Sequence, residues 1–134
     1  MDFKVDDNFE HTFAVNLVVY QGFLKTFNDN NPLHTEPEFA KDHGFKDSVM
    51  HGNILNGFIS YFVGECLPQK DVIIHSQSIH FKKPVYLNDT LLFKATVTGV
   101  FESVNAVEFK FSFQNILSVV ARGKIQIGIL KWSF

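Results

Sequence analysis

Four stretches in the second half of the chain, 71–81, 90–101, 104–114 and 118–130, alternate polar with apolar residues and are rich in β-branched and aromatic side chains. In the clearest of them, Glu108-Phe109-Lys110-Phe111-Ser112-Phe113, three phenylalanines fall on one face and polar groups on the other. Successive hairpins of this kind build an antiparallel sheet with one apolar face, and that face needs a cover. The first half supplies it, because there the period changes to that of a helix. Leu17, Tyr20, Phe23, Leu24 and Phe27 fall at helical spacing behind Asn16, a suitable N-cap. Thr35 to Glu38 reads as a capping box with Pro37 in the first turn, and Gly44 is a fitting stop. A third helix is expected from near Gly52 to about Cys66. Its apolar residues Ile54, Leu55, Phe58, Ile59, Tyr61, Phe62 and Val63 surround the axis, so it should be wrapped rather than half exposed. The expected fold is α+β: one domain over residues 1–134, a curved antiparallel sheet wrapped around a long central helix.

Chemistry concentrates in residues 27–34, Phe-Asn-Asp-Asn-Asn-Pro-Leu-His. Asp29 and His34 stand five residues apart across a turn that Pro32 stiffens and that Asn30 and Asn31 favour. A turn, unlike a helix, can aim an i, i+5 pair at a common point. A carboxylate and an imidazole aimed together can remove and deliver protons, which is what adding or eliminating water requires. An Asx turn with a surface histidine is the other reading of these residues.

Composition narrows the class. Hydrophobic residues are 46% and charged ones 19%, enough for a core, and 16 phenylalanines supply most of its bulk. A net charge of −2 argues against a nucleic-acid partner. The one cysteine, Cys66, lies in an apolar segment with no neighbouring base in sequence and reads as a buried small side chain. His11, His43, His75 and His80 show no partner pattern and no helical His-x-x-x-His spacing, so no metal is expected. The acidic start lacks the apolar run of a signal peptide, and the apolar stretch near 54–63 is broken by Asn56, Gly57 and Ser60. A cytoplasmic protein without a membrane partner is expected. Glycine-rich phosphate loops and nucleophile elbows are absent.

Downstream of the turn come Thr35-Glu36-Pro37-Glu38-Phe39-Ala40, Gly44-Phe45, Met50-His51-Gly52-Asn53, Ser60, Leu67-Pro68, Phe81-Lys82-Lys83-Pro84-Val85 and Asn88-Asp89. In order and spacing, over about residues 9 to 130, the chain resembles the MaoC-like (R)-specific enoyl-CoA hydratases and acyl dehydratases, which have the hotdog fold. Two positions depart from the pattern. Phe27-Asn28 stands where many relatives carry Ser-Gly, and Asn88 stands where many carry Gly, a mild change because Asn tolerates left-handed backbone.

The resemblance implies Asp29 and His34 as the catalytic pair. The backbone N–H of Gly52, at the start of the central helix, would be the donor to the thioester oxyanion, with a plain helix-entry turn as the alternative. It places Asn31 as the residue holding the loop, and His51, Asn53 and Ser60 around the pocket, although Ser60 fits equally a hydroxyl bonded to its own helix. Lys82 and Lys83 are candidates for the phosphates of a CoA or acyl-carrier-protein thioester, or else a solvated strand end. No cofactor is implied beyond that substrate. A homodimer is expected, since a hotdog sheet has an exposed edge. Two other activities fit such a fold: an acyl thioesterase and a non-catalytic acyl-binding module.

Overall fold

The computed structural model describes residues 2–131. Five strands, β1 (Asn8–Ala14), β2 (Val72–Phe81), β3 (Thr90–Phe101), β4 (Ala106–Gln114) and β5 (Val119–Ile129), form one antiparallel sheet in the order β1-β3-β4-β5-β2. The four strands expected from alternation are all present. β1 was not expected, because the first half was read as helical around loops. It does alternate: Phe9 and Phe13 turn toward the core, and Phe9 packs edge-on against Phe62 and Phe109 at 5.9 and 6.0 Å. The hairpin expectation holds for β3-β4-β5 and fails for β2. That strand crosses to the far side of the sheet and pairs with β5 alone.

The helices are α1 (Leu17–Phe27), α2 (Pro32–Thr35), α3 (Pro37–Asp42) and α4 (Asn53–Tyr61), the last continuing as a π-helical turn through Phe62–Cys66. Asn16 caps α1 as expected, its Oδ1 accepting from Val19 N at 2.9 Å. The capping box does not form. Thr35 is the last residue of α2, its hydroxyl donates back to Asn30 O and Asn31 O, and α3 starts after Glu36 without a side-chain cap. Gly44 ends α3 at φ +89°, a conformation that favours glycine.

The core lies between the sheet and α4. Phe93, Phe109 and Phe113, on the inner face, are buried against Ile54, Leu55, Ile59 and Phe62, and the Phe62 ring sits 4.7 Å from Phe93. α4 is not wrapped all round. Asn53, Gly57, Ser60, Tyr61 and Gly64 face solvent, because one five-stranded sheet covers only one side of a helix. α1 likewise buries no residue completely, and Val18 and Phe27 are 79% and 66% exposed. No helix among the described residues is long and apolar enough to cross a membrane.

Candidate active site

α1 delivers the chain to the site. It ends at Asn28, whose backbone is left-handed (φ +56°) and whose N–H bonds Leu24 O. Asp29 follows, and its Oδ1 accepts from Asn31 N at 3.2 Å. Asn31 Oδ1 in turn accepts from Leu33 N at 3.0 Å and caps α2, with Pro32 in the first helical position. The segment is therefore a turn, as expected, of the Asx kind, and it feeds a one-turn helix. The Asx turn, read from sequence as the alternative to catalysis, is the device that aims the pair.

His34 is fixed from both sides. Its Nδ1 donates to Val49 O at 2.8 Å, and its carbonyl accepts from Tyr20 Oη at 2.7 Å. Burial pushes the Tyr20 hydroxyl above its ordinary pKa, so it stays a donor. With Nδ1 protonated, Nε2 carries a lone pair and faces Asp29 Oδ2 at 3.8 Å. That gap is too long for a direct hydrogen bond, and one oxygen atom set to the side of the line can reach both.

His51 is the feature that sequence reasoning did not place. The place around the pocket that the resemblance implies for it is present, but the side chain is only 3% exposed and its Nε2 donates to the Asp29 carbonyl at 2.9 Å. Its ring lies between His34 (4.0 Å) and Phe23 (4.7 Å), and its Nδ1 is buried without a partner. His51 therefore pins the backbone of Asp29. Replacing His51 with Leu should lower kcat about tenfold or more with little change in KM, whereas His51→Gln, which keeps an N–H at the Nε2 position, should recover much of the loss. Steady-state kinetics of the two variants check this. Among the described residues, Asp29, His34 and His51 are also the one set of side chains close enough to share a metal ion, with ligand atoms within 4.8 Å of one another.

Gly52 precedes α4, and its N–H has no acceptor among the described residues. A Cβ at this position would stand 3.0 Å from the Phe81 ring, so glycine lets that ring pack close against it. Two cavities meet here, sharing Phe23, Asp29 and Asn53. One, of about 490 Å³, is lined by Asp29, His34, His51, Gly52, Lys82 and Lys83. The other, of about 820 Å³, runs between α1 and α4 and is walled by Val18, Phe27, Ile54 and Phe58. The backbone N–H groups of Lys82 and Lys83 both donate to Val120 O, which fixes the strand end that carries them. The structure thus brings Asp29, Asn31, His34, His51, Gly52, Asn53, Lys82 and Lys83 together. It leaves Ser60 on the exposed side of α4, lining neither cavity.

Elsewhere, Cys66 does have a neighbouring imidazole, His11 Nδ1 at 3.9 Å, which the sequence could not show because β1 was not foreseen. Burial still pushes the thiol pKa up, so Cys66 is no activated nucleophile. Asn88 adopts φ +73°, the left-handed conformation expected of it.

A sheet packed on a central helix, with a carboxylate–imidazole pair before that helix's N-terminus, defines the class as a hotdog-fold domain. Residues 21–116 match the family model of the MaoC like domain. The chain is 34% identical over 99 residues to the (R)-specific enoyl-CoA hydratase of Rhodospirillum rubrum, covering 74% of this chain and 69% of that protein. It is 29% identical over 109 residues to a mitochondrial 3-hydroxyacyl-(acyl-carrier-protein) dehydratase of Arabidopsis thaliana, covering 81% of this chain and 64% of that protein. The fold superposes on the (R)-hydratase from A. caviae with a TM-score of 0.87 at 24% identity, covering 96% of this chain and 98% of that one. The chain belongs to the MaoC-like family.

Proposed function

We propose that this chain is a hydro-lyase that adds water to trans-2-enoyl thioesters to give (R)-3-hydroxyacyl thioesters, and catalyses the reverse dehydration. The observation that carries the reading is the 3.8 Å gap between His34 Nε2 and Asp29 Oδ2, two proton acceptors facing each other beside the unpaired Gly52 N–H. One water bridging the two from the side donates an O–H to each, which turns its lone pair toward the substrate. As its oxygen bonds to the β-carbon, the pair takes one proton and electrons move onto the thioester oxygen. The Gly52 N–H, at the positive end of α4, holds that oxyanion. The pair then returns a proton to the α-carbon, so the water is consumed whole and neither metal nor cofactor enters. Asn31, His51 and Asn53 hold the frame, the apolar cavity takes the acyl chain, and Lys82 and Lys83 meet the phosphates of the thioester carrier.

The chain works as a homodimer in this reading. Support comes from the uncovered side of α4, from Val18 and Phe27 on α1, and from the free edge of β2. Wild-type protein with crotonyl-CoA should remove the enoyl-thioester absorbance without releasing free thiol. Thiol release without hydration would instead mean a thioesterase, and silence in both assays would leave a longer or carrier-bound substrate, or a binding module.

A further inference from the structure

We propose that the outer face of the sheet is a docking surface for an acidic carrier protein that presents the acyl thioester, an inference that rests on the hydro-lyase reading above. The alternation that turns the phenylalanines inward turns His80, Lys94, Lys110, Arg122 and Lys124 outward, and all five are exposed. Register gathers them into one block. Lys110 lies directly opposite Lys124, Arg122 lies opposite His80, and Ser112 bridges Arg122 to Lys94. A shallow groove of about 540 Å³ runs among them, with the hydroxyls of Ser78, Thr96 and Ser112 between the cations.

Like charges directly opposite one another weaken a sheet. Here nothing relieves them: among the described residues only Lys94 has a carboxylate in reach, Glu10 at 4.0 Å on the β1 edge. Four of the chain's 12 Lys and Arg side chains stand on this face, leaving eight for the rest of a chain with 14 carboxylates. An acidic chain that segregates its positive charge in this way has a surface complementary to an anionic partner.

Continuity with the site selects the partner. β2 leaves the basic face at His80, the next residue Phe81 covers Gly52, and Lys82 and Lys83 line the catalytic cavity. At about 3.4 Å per residue, His80 is within roughly 10 Å of Lys83 along the chain. A carrier seated on the block therefore extends its thioester arm along a line of cations into the site. An isolated CoA needs only the last two lysines. A membrane or nucleic acid would gain nothing from ending beside a proton-transfer pair.

The test uses fluorescently labelled holo acyl carrier protein, titrated with wild type and Lys124→Glu at low and high salt, with crotonyl-CoA turnover measured in parallel. The substitution sets a carboxylate opposite Lys110, so the melting temperature should hold or rise. Carrier affinity should fall about tenfold in the variant and with salt in the wild type, while kcat/KM for crotonyl-CoA stays unchanged. Carrier binding that is absent, insensitive to salt or equal in both proteins would overturn the proposal. So would a variant whose crotonyl-CoA turnover or oligomeric state changes with it, since the face would then serve the fold or a contact between copies. Salt-sensitive carrier binding by a wild type that hydrates neither crotonyl-CoA nor the crotonyl thioester of the carrier would overturn the hydro-lyase reading instead and leave the docking surface in place.

Discussion

Replacing Asp29 with Asn should lower kcat for crotonyl-CoA hydration by about 10²–10⁴-fold with little change in KM or melting temperature. Asparagine has the same shape and can keep the Oδ1 bond to Asn31 N, so the Asx turn survives. What it loses is the second acceptor. The atom in place of Oδ2 becomes an N–H donor facing His34 Nε2, and the water between them can no longer surrender a proton on that side. The Asp29 side chain is 50% exposed, which leaves little stability to lose. The decay of enoyl absorbance measures the effect, and an Asp29→Asn variant that hydrates at the wild-type rate would remove Asp29 from the mechanism.

The largest effect on stability is expected from Phe62→Ala, at about 3–5 kcal/mol. Phe62 is fully buried, and its ring touches Phe9, Phe93 and Phe109 at 5.9, 4.7 and 5.9 Å. Truncation removes the side chain that joins β1, β3 and β4 to the central helix, and the cavity cannot collapse onto a stiff sheet. Urea denaturation followed by circular dichroism should show the midpoint falling with little change in slope. Phe62 follows the last α-helical turn of α4 and Gly52 precedes the first, roughly 15 Å away at 1.5 Å per residue. Folded Phe62→Ala protein should therefore keep a KM near that of the wild type, and loss of substrate affinity at full folding would show that the core and the site are coupled.

The readable parts of this chain were those in which one local rule acts alone. Alternation in 71–130 gave four of the five strands because their inner residues are nearly all apolar, Gln77 on β2 being an exception that bonds Asn56 of α4. β1 escaped because His11 interrupts its pattern with a residue that suits either face, although Phe9 and Phe13 carried the signal. The pairing of β2 with β5 was not legible, since period fixes which face a residue takes and says nothing about which strand lies beside it. Within the site, Asn-Pro-Leu-His gave the turn, but His51 had no local signature: its partner, the Asp29 carbonyl, is 22 residues away. The apolar residues of α4 do surround its axis, but one sheet covers only one side of a helix, so α4 is not wrapped.

The unusual position of β2 bears on how the protein reaches its working state. β3, β4 and β5 meet through hairpins, so their pairing begins with a short loop closure. β2 must find β5 across 40 to 57 residues, the separations of Phe81 from Ala121 and of Val72 from Ile129. Non-local pairing of this kind is slow, since the chain loses loop entropy before any contact compensates it. The strand that arrives by this long search is the one that brings Phe81, Lys82 and Lys83 to the catalytic cavity. An edge strand held by a single neighbour also frays before the phenylalanine core does. The rim of the site is therefore exposed to delay in folding and to local opening afterwards, a liability it shares with β1, the other edge strand, whose pairing with β3 spans 76 to 88 residues, while the Asp29 turn combines local bonds with the single tie from His51.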